Sequence, residues 1–308
     1  MAPVMLTANS PYDLSHYSLR EKHMKEDHPL LAVGLMCTAT LLFSLMAVCA
    51  KWLTGQLPVP EVVWGRYVFH LLFIIALFPH RASTLFVSGS KSLQILRSIL
   101  VLLATIFAFV ALRYLPLASV AALGFVGPFF VVSLAALVLH EHVSPRRWVA
   151  VAVGLIGVLV ILRPGSEAMH WAAVLPLGMA LCYAIYQVIT RIIRGAAPPL
   201  NSLFYTALVG AVTSSIVVPF FWVHPDPKTW ALMVGTGLLG GSGHLALIKA
   251  YESAKASIVA PFVYSELLWA TALGWIVFAQ FPDFWTFVGA GVIVATGIYV
   301  LGYESRAR

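Results

Sequence analysis

Ten apolar runs, at about 30–51, 61–79, 94–112, 118–139, 148–163, 171–190, 201–222, 230–250, 256–279 and 285–302, occupy most of the chain. A helix rises about 1.5 Å per residue and needs ~20 apolar residues to cross the hydrocarbon of a bilayer, a length most of these runs reach. The breaks carry turn chemistry: Pro58 and Pro60, Pro116, Ser144-Pro145, Pro164-Gly165, Pro198-Pro199, Pro225 with Pro227, and Pro282. Hydrophobic residues are 60% of the chain and charged ones 10%, against roughly 45–50% and about 25% in soluble domains. The pattern predicts an all-α membrane protein with ten transmembrane helices.

The formal charge of +7 does not point to nucleic acid, because Lys and Arg form no basic stripe and instead punctuate the apolar runs. With the N-terminus placed inside, the inner segments hold fourteen: Arg20, Lys22, Lys25, Arg81, Lys91, Arg97, Arg146, Arg147, Arg191, Arg194, Lys249, Lys255, Arg306 and Arg308. The outer segments hold four, Lys51, Arg113, Arg163 and Lys228, which places both termini in the cytoplasm. Residues 1–29 are polar and lack the apolar core and cleavage site of a signal peptide, so a disordered cytoplasmic tail is expected there, with a second short tail at 303–308. Met24 resembles a second translation start. Cys37, Cys49 and Cys182 all lie inside apolar runs, where free cysteine behaves as a small hydrophobe.

The chain also repeats itself. A shift of 138 lays 118–122 (ASVAA) on 256–260 (ASIVA), and a shift of 140 lays Lys51 on Arg191, Gly55 on Gly195, Pro58 on Pro198 and Gly157 on Gly297. Five runs per copy is an odd number, so the second copy enters the membrane from the opposite side. Two inverted-topology repeats, 30–163 and 164–302, are therefore expected, with a site near the midplane between them and alternating access by rocking of one half against the other.

The sequence around 115–123 (LPLASVAAL), Gly127-Pro128-Phe129-Phe130, Leu139-His140-Glu141 ahead of Gly154 and Gly157, 254–262 (AKASIVAPF) and Gly289 to Gly297 resembles the EamA-type drug/metabolite transporter family. The resemblance covers essentially 30–302. It implies ten helices in two inverted five-helix repeats, a central cavity, and transport of small metabolites such as amino acids, riboflavin or S-adenosylmethionine across the bacterial inner membrane. One position departs from the family pattern: the acid usual at the end of the ninth helix is Gln280 here, whereas the first copy keeps Glu141.

Glu266 lies near the middle of the ninth run, where a charge costs at least ~2.5–3.5 kcal/mol and normally faces a bundle interior or a watery cavity. It replaces Pro128 of the first copy, so the acid breaks the repeat. Tyr264 stands beside it and Trp269 three residues on, which pairs an acid with aromatic surface. The functional role is a cavity carboxylate for a cationic group or a proton; the alternative is a neutral Glu that only packs helices. His244 in the eighth run is a proton relay, a ligand donor or a satisfied interior histidine. Gly235, Gly237 and Gly240 match GxGxxG, but no strand precedes them, and close helix approach is the better account. Tyr183, Tyr186 and Gln187 form an aromatic and polar face suited to a ligand cavity or to a helix interface. Phe107 and Phe125 are weaker candidates for the cavity wall. Arg66, near Glu61, Trp64, Tyr67 and His70, reads as an interfacial anchor or local ion pair ahead of a substrate-binding group, the role for which it and His70 are the weaker candidates, with Trp64 and Tyr67 in an aromatic belt. Arg97 has the same ambiguity. His140-Glu141-His142 has metal-ligand spacing but stands at a helix end without further ligands, so capping is expected and no metal.

These features predict a secondary transporter of a small organic metabolite, embedded in the lipid bilayer of the inner membrane. A passive facilitator or channel and a membrane-embedded enzyme are the alternatives; HExxH, paired intramembrane aspartates and GxSxG are all absent from the sequence. No cofactor, ATP site or catalytic residue is expected. Proton coupling through Glu266 or His244 is a further expectation, and a monomer and a dimer both remain open. A lone acid with aromatic walls suits an amine-bearing or planar ring substrate better than a dianion such as phosphate.

Overall fold

The computed structural model describes residues 28–81, 84–86, 88–138, 144–163, 170–193 and 198–306. The tail 1–27 and the His140-Glu141-His142 motif lie outside the described residues. All regular secondary structure among the described residues is helical: α1 (Pro29–Thr54), α2 (Val59–Leu77), α3 (Lys91–Tyr114), α4 (Leu117–Gly124), α5 (Gly127–Val138), α6 (Pro145–Leu162), α7 (Val174–Ile192), α8 (Pro199–Val217), α9 (Pro227–Ser253), α10 (Ala256–Val259), α11 (Ser265–Phe278) and α12 (Phe284–Arg306). Eight spans are long and apolar enough to cross a membrane, α4 and α5 counting together as Leu117–Val138, and two shorter apolar helices cover Trp148–Leu162 and Phe284–Tyr299. Proline occupies the first helical turn of α1, α2, α6, α8 and α9, where its missing N–H costs nothing.

Around an apolar core the bundle exposes large apolar side chains and buries several charged ones. Leu72, Ile156, Ile216, Leu268 and Ile276 are exposed, while Glu61, Arg66, His70, Gln94 and Arg97 are buried. Lipid supplies no hydrogen bonds, so polar groups turn inward. Several buried hydroxyls are satisfied by their own helix: Thr40, Ser98, Thr105, Thr206 and Ser214 each donate to the carbonyl four residues back.

Packing obeys the sequence repeat. In each copy the first span packs on the third span of the other: α1 on α9, and α7 on α3. The second span packs likewise, α2 on α9 and α8 on α3, and the broken fourth span meets the other copy's first, α5 on α7 and α11 on α1. Two further main contacts pair an element with its own counterpart, α2 with α8 and α6 with α12, and α4 packs on α11 where the two broken spans cross. Exchanging the two copies reproduces most of this pattern, as a pseudo-two-fold axis requires; the exceptions include α4 on α11, which α10 does not match on α5, and α1 on α3, which α7 does not match on α9. The repeats are not separate bodies, however. Each of the two main bundles, α1–α9–α11 and α3–α4–α5–α7, contains helices from both copies.

The ninth run is not the continuous helix expected over 256–279. It passes from α10 through a 3-10 turn at Ala260–Tyr264 into α11. Pro261 has no N–H to donate and stiffens that turn. The fourth run breaks at the matching place, between Gly124 and Gly127. Under the shift of 138, Gly127 falls on Ser265, so both copies restart their helix at the same position. Glu266 thus sits in the first turn of α11, where a carboxylate faces the positive end of the helix dipole.

The glycines of α9 let its backbone approach α1 and α2. A Cβ on Gly237 would stand 2.7 Å from the backbone nitrogen of His70, one on Gly241 2.6 Å from the Phe73 ring, and one on Gly243 2.7 Å from the Phe43 ring. Gly235 has open space around it. At the α6–α12 crossing, a Cβ on Gly157 would lie 2.9 Å from the Gly289 carbonyl. Small residues here serve packing within the chain.

Candidate functional site

Six helices, three from each copy, bring a set of polar and aromatic side chains to the middle of the bundle. Arg66 and His70 come from α2, His244 from α9, Arg97 from α3, Tyr183 and Tyr186 from α7, and Glu266 from α11, with Phe43 and Met46 of α1 against them. The His70 and His244 rings lie parallel, 5.9 Å apart with planes 3° from one another. Phe43 meets His244 edge-on at 4.9 Å. Both Arg66 and Arg97 lie within electrostatic reach of His244, and Arg97, Tyr186 and Glu266 within reach of Tyr183. The groups are therefore one cluster.

Its two arginines differ in how they are tied down. Arg97, 3% exposed, donates from Nη1 to Gln94 Oε1 at 3.2 Å and from Nη2 to the Tyr186 hydroxyl at 2.8 Å, with its guanidinium 4.6 Å from the Tyr186 ring centre. Gln94 in turn donates to Ser202 of α8 at 3.0 Å. Arg66, 5% exposed, places Nε 3.3 Å from the Met46 sulfur and its guanidinium 4.8 Å from the Tyr67 ring centre. Its two Nη atoms take no protein partner and are open to solvent. The same holds for the Glu266 carboxylate, the His244 nitrogens and the Tyr183 hydroxyl. Each of these three side chains is deep in the bundle yet part-exposed. Such groups lie within the bundle and are still reached by solvent, as a ligand-binding group must be. His70 is different: at 1% exposed, neither ring nitrogen has a partner or solvent.

Several expected site residues lie elsewhere. Arg66 does not snorkel to an interface; it is buried within the cluster. Tyr67 is no belt residue either, being fully buried with its hydroxyl 2.9 Å from Thr105 Oγ1. Trp64 packs edge-on against Trp222 and Trp230 and donates to Ser215. Tyr264 is wedged between Phe125, 4.9 Å away, and Gly297 of α12, where the break of one copy crosses that of the other. Phe107 rests on Gly178 of α7, whose Cβ would meet its ring at 3.3 Å. Gln187 is exposed. Trp269 buries an indole nitrogen without a hydrogen-bond partner. At the start of α11, Ser265 shares a 2.7 Å hydrogen bond with Thr40 of α1. Among the described residues no group of His, Cys, Asp or Glu is arranged to hold a metal ion.

The comparisons with known proteins agree with this architecture. The model of the EamA-like transporter family matches twice, over residues 30–163 and 170–303. A riboflavin transporter of Rhizobium johnstonii is 28% identical over 274 residues, covering 88% of this chain and 91% of the relative. An S-adenosylmethionine uptake transporter of Rickettsia felis is 28% identical over 282 residues, covering 90% and 95%. A pseudopaline exporter, CntI, of Pseudomonas aeruginosa is 27% identical over 271 residues, covering 86% and 94%. A crystal structure of a protein with 19% identity superposes with a TM-score of 0.64, covering 90% of this chain and 98% of that one, a likeness of fold.

Proposed function

The chain belongs to the EamA-like transporter family, as a multi-pass protein of the inner membrane, and from that premise we propose that it is a secondary transporter of a small organic metabolite. The carrying observation is the interior cluster. Arg66, His244, Tyr183 and Glu266 present polar atoms without protein partners to solvent inside an apolar bundle, which leaves them free to meet a ligand. Relatives named for riboflavin, S-adenosylmethionine and pseudopaline make those compounds the first to try. The cluster lies between two bundles of mixed origin, and rocking of α1–α9–α11 against α3–α4–α5–α7 would expose it alternately to each side.

Ten spans with both termini cytoplasmic belong to the same proposal, resting on the excess of Lys and Arg in the inner segments. Terminal reporter fusions test it; a reporter active outside the membrane would refute it. For the carrier itself, the purified chain in proteoliposomes is expected to show saturable uptake of riboflavin or S-adenosylmethionine, accelerated by unlabelled substrate on the far side. Flux that rises linearly with concentration, without exchange, would instead make it a passive facilitator. Any proton coupling is assigned to Glu266 or His244; Glu266→Gln transporting with an unaltered pH profile removes Glu266.

A further inference from the structure

Two buried guanidinium groups change the substrate chemistry expected from a lone acid. Among the described residues neither Arg66 nor Arg97 has a carboxylate within 4 Å; the one ion pair is Arg163 with Asp283. Arg97 is committed, both of its Nη atoms being hydrogen-bonded to Gln94 and Tyr186. Arg66 is not, since its Nη pair takes nothing from the protein and is reached by solvent. An open guanidinium end is a planar fork whose geometry matches a carboxylate. Solvent rather than a protein anion meets these Nη atoms, so a negative ligand group can take its place.

Glu266 presents a carboxylate that is equally unpartnered and open. Arg66 and Glu266 do not neutralise each other. They form no ion pair and stand on different helices, Arg66 on α2 and Glu266 on α11. A positive and a negative group are thus both left unpaired in one cluster that also holds the His244, Phe43 and Tyr183 rings.

Resting on the transporter reading above, we infer that the substrate is amphoteric: a carboxylate docks on the Arg66 fork, a cationic nitrogen on Glu266, and a flat or apolar body lies against the rings of the cluster. A purely cationic compound would meet Arg66 and a purely anionic one Glu266. A dianion such as phosphate would find only one open fork, because that of Arg97 is already occupied.

The test uses the full chain in proteoliposomes, with competition for uptake by a panel of amino acids and S-adenosylmethionine. Each is compared with its decarboxylated amine and its N-acetyl acid. At least one amphoteric member is expected to compete about tenfold or more better than both of its blocked forms, the size of losing one charge-assisted hydrogen-bonded contact. Arg66→Gln is expected to abolish discrimination against the decarboxylated amine and keep that against the N-acetyl acid; Glu266→Gln is expected to do the reverse. Arg66→Lys keeps the charge without the fork and should fall between, which guards against a folding defect in Arg66→Gln. Equal competition by blocked and unblocked forms, or discrimination untouched by both variants, overturns the inference. Riboflavin flux that no amphoteric compound inhibits overturns it while leaving the carrier standing, whereas no flux of any compound tells against the carrier.

Discussion

Lys51 separates two explanations of a charge at the edge of a membrane span. By the charge rule it is one of four outer cations and merely tolerated. In the structure its Nζ donates to the carbonyls of Leu112 at 2.8 Å and Leu115 at 2.6 Å and lies 5.5 Å from the centre of the Phe278 ring. The end of α3 is forced by Pro116, which holds Leu115 extended at φ −113° and ψ 154°. The last carbonyls of α3 therefore lack helical partners, and the half-buried ammonium of α1 supplies them. Two charge-assisted hydrogen bonds of about 1.5–3 kcal/mol each set an upper bound. After the loss of ammonium hydration, Lys51→Met is expected to destabilise by about 2–4 kcal/mol. The assay is thermal unfolding in detergent by tryptophan fluorescence, alongside terminal reporters for topology. Lys51→Met also removes an outer charge, so a pure topology signal predicts unchanged stability and an even firmer orientation. Stability within about 0.5 kcal/mol of the parent, the scatter of featureless surface sites, would refute the clamp.

Gly237→Ala is expected to cost about 1–3 kcal/mol in unfolding assays, because its Cβ would meet the backbone of α2 at His70, whereas Gly235→Ala should be neutral or stabilising by up to about 1 kcal/mol of helix propensity. Burial works against the charge of Asp283, but hydrogen bonds from Thr286 and Arg163 outweigh it and hold its carboxyl below the ordinary aspartate range. Its stabilisation is therefore complete above about pH 4 and lost as pH falls through the lower folded value; Asp283→Asn should erase that acid limb in a melting-temperature titration. Glu61 accepts from the Val223 backbone at 3.0 Å and Asn201 donates to the Thr84 carbonyl at 2.8 Å, at opposite ends of the α2–α8 pair. Hydrogen exchange should rise in 221–226 for Glu61→Ala and in 84–86 for Asn201→Ala, each without the other.

Spans, repeat and family were legible because each is carried by many residues at once. The cluster was half legible. Glu266, His244, Tyr183 and Tyr186 stood out as polar groups far from any run end, while Arg66 and Arg97 lie near run ends, where a long cation reaches water as easily as it turns inward. Sequence gives a residue's depth along a helix but, in helices apolar on every side, no stripe to give its rotation. Tyr67 failed for that reason: it lies at belt depth but on the inner face. The break in the ninth span was written in Pro261, yet apolar length masked it. Lys51 carried no sequence signal for its partners, which are backbone atoms of another helix.

What the repeat duplicates is packing, and what it leaves single is chemistry. Glu61 and Asn201 are mates under the shift of 140, and each latches the loop beyond the facing helix, one with a carboxylate and one with an amide. Met46 and Tyr186 are mates as well, and each lies against an arginine. But Arg66 has Thr206 for its mate, His70 has Gly210, and under the shift of 138 Glu266 has Pro128. The charged groups with open atoms also fall on one side of the rocking interface. Arg66 and His244 sit on α2 and α9, which pack together, and Glu266 sits on α11 against α1, whereas Arg97, Tyr183 and Tyr186 belong to the opposite bundle. An amphoteric substrate held at Arg66 and Glu266 would then travel with the first bundle throughout the cycle, while the tyrosines of α7 close over it and withdraw. Substitution of Tyr183 should on that account alter the rate of exchange more than the affinity, and substitution of Arg66 the affinity first.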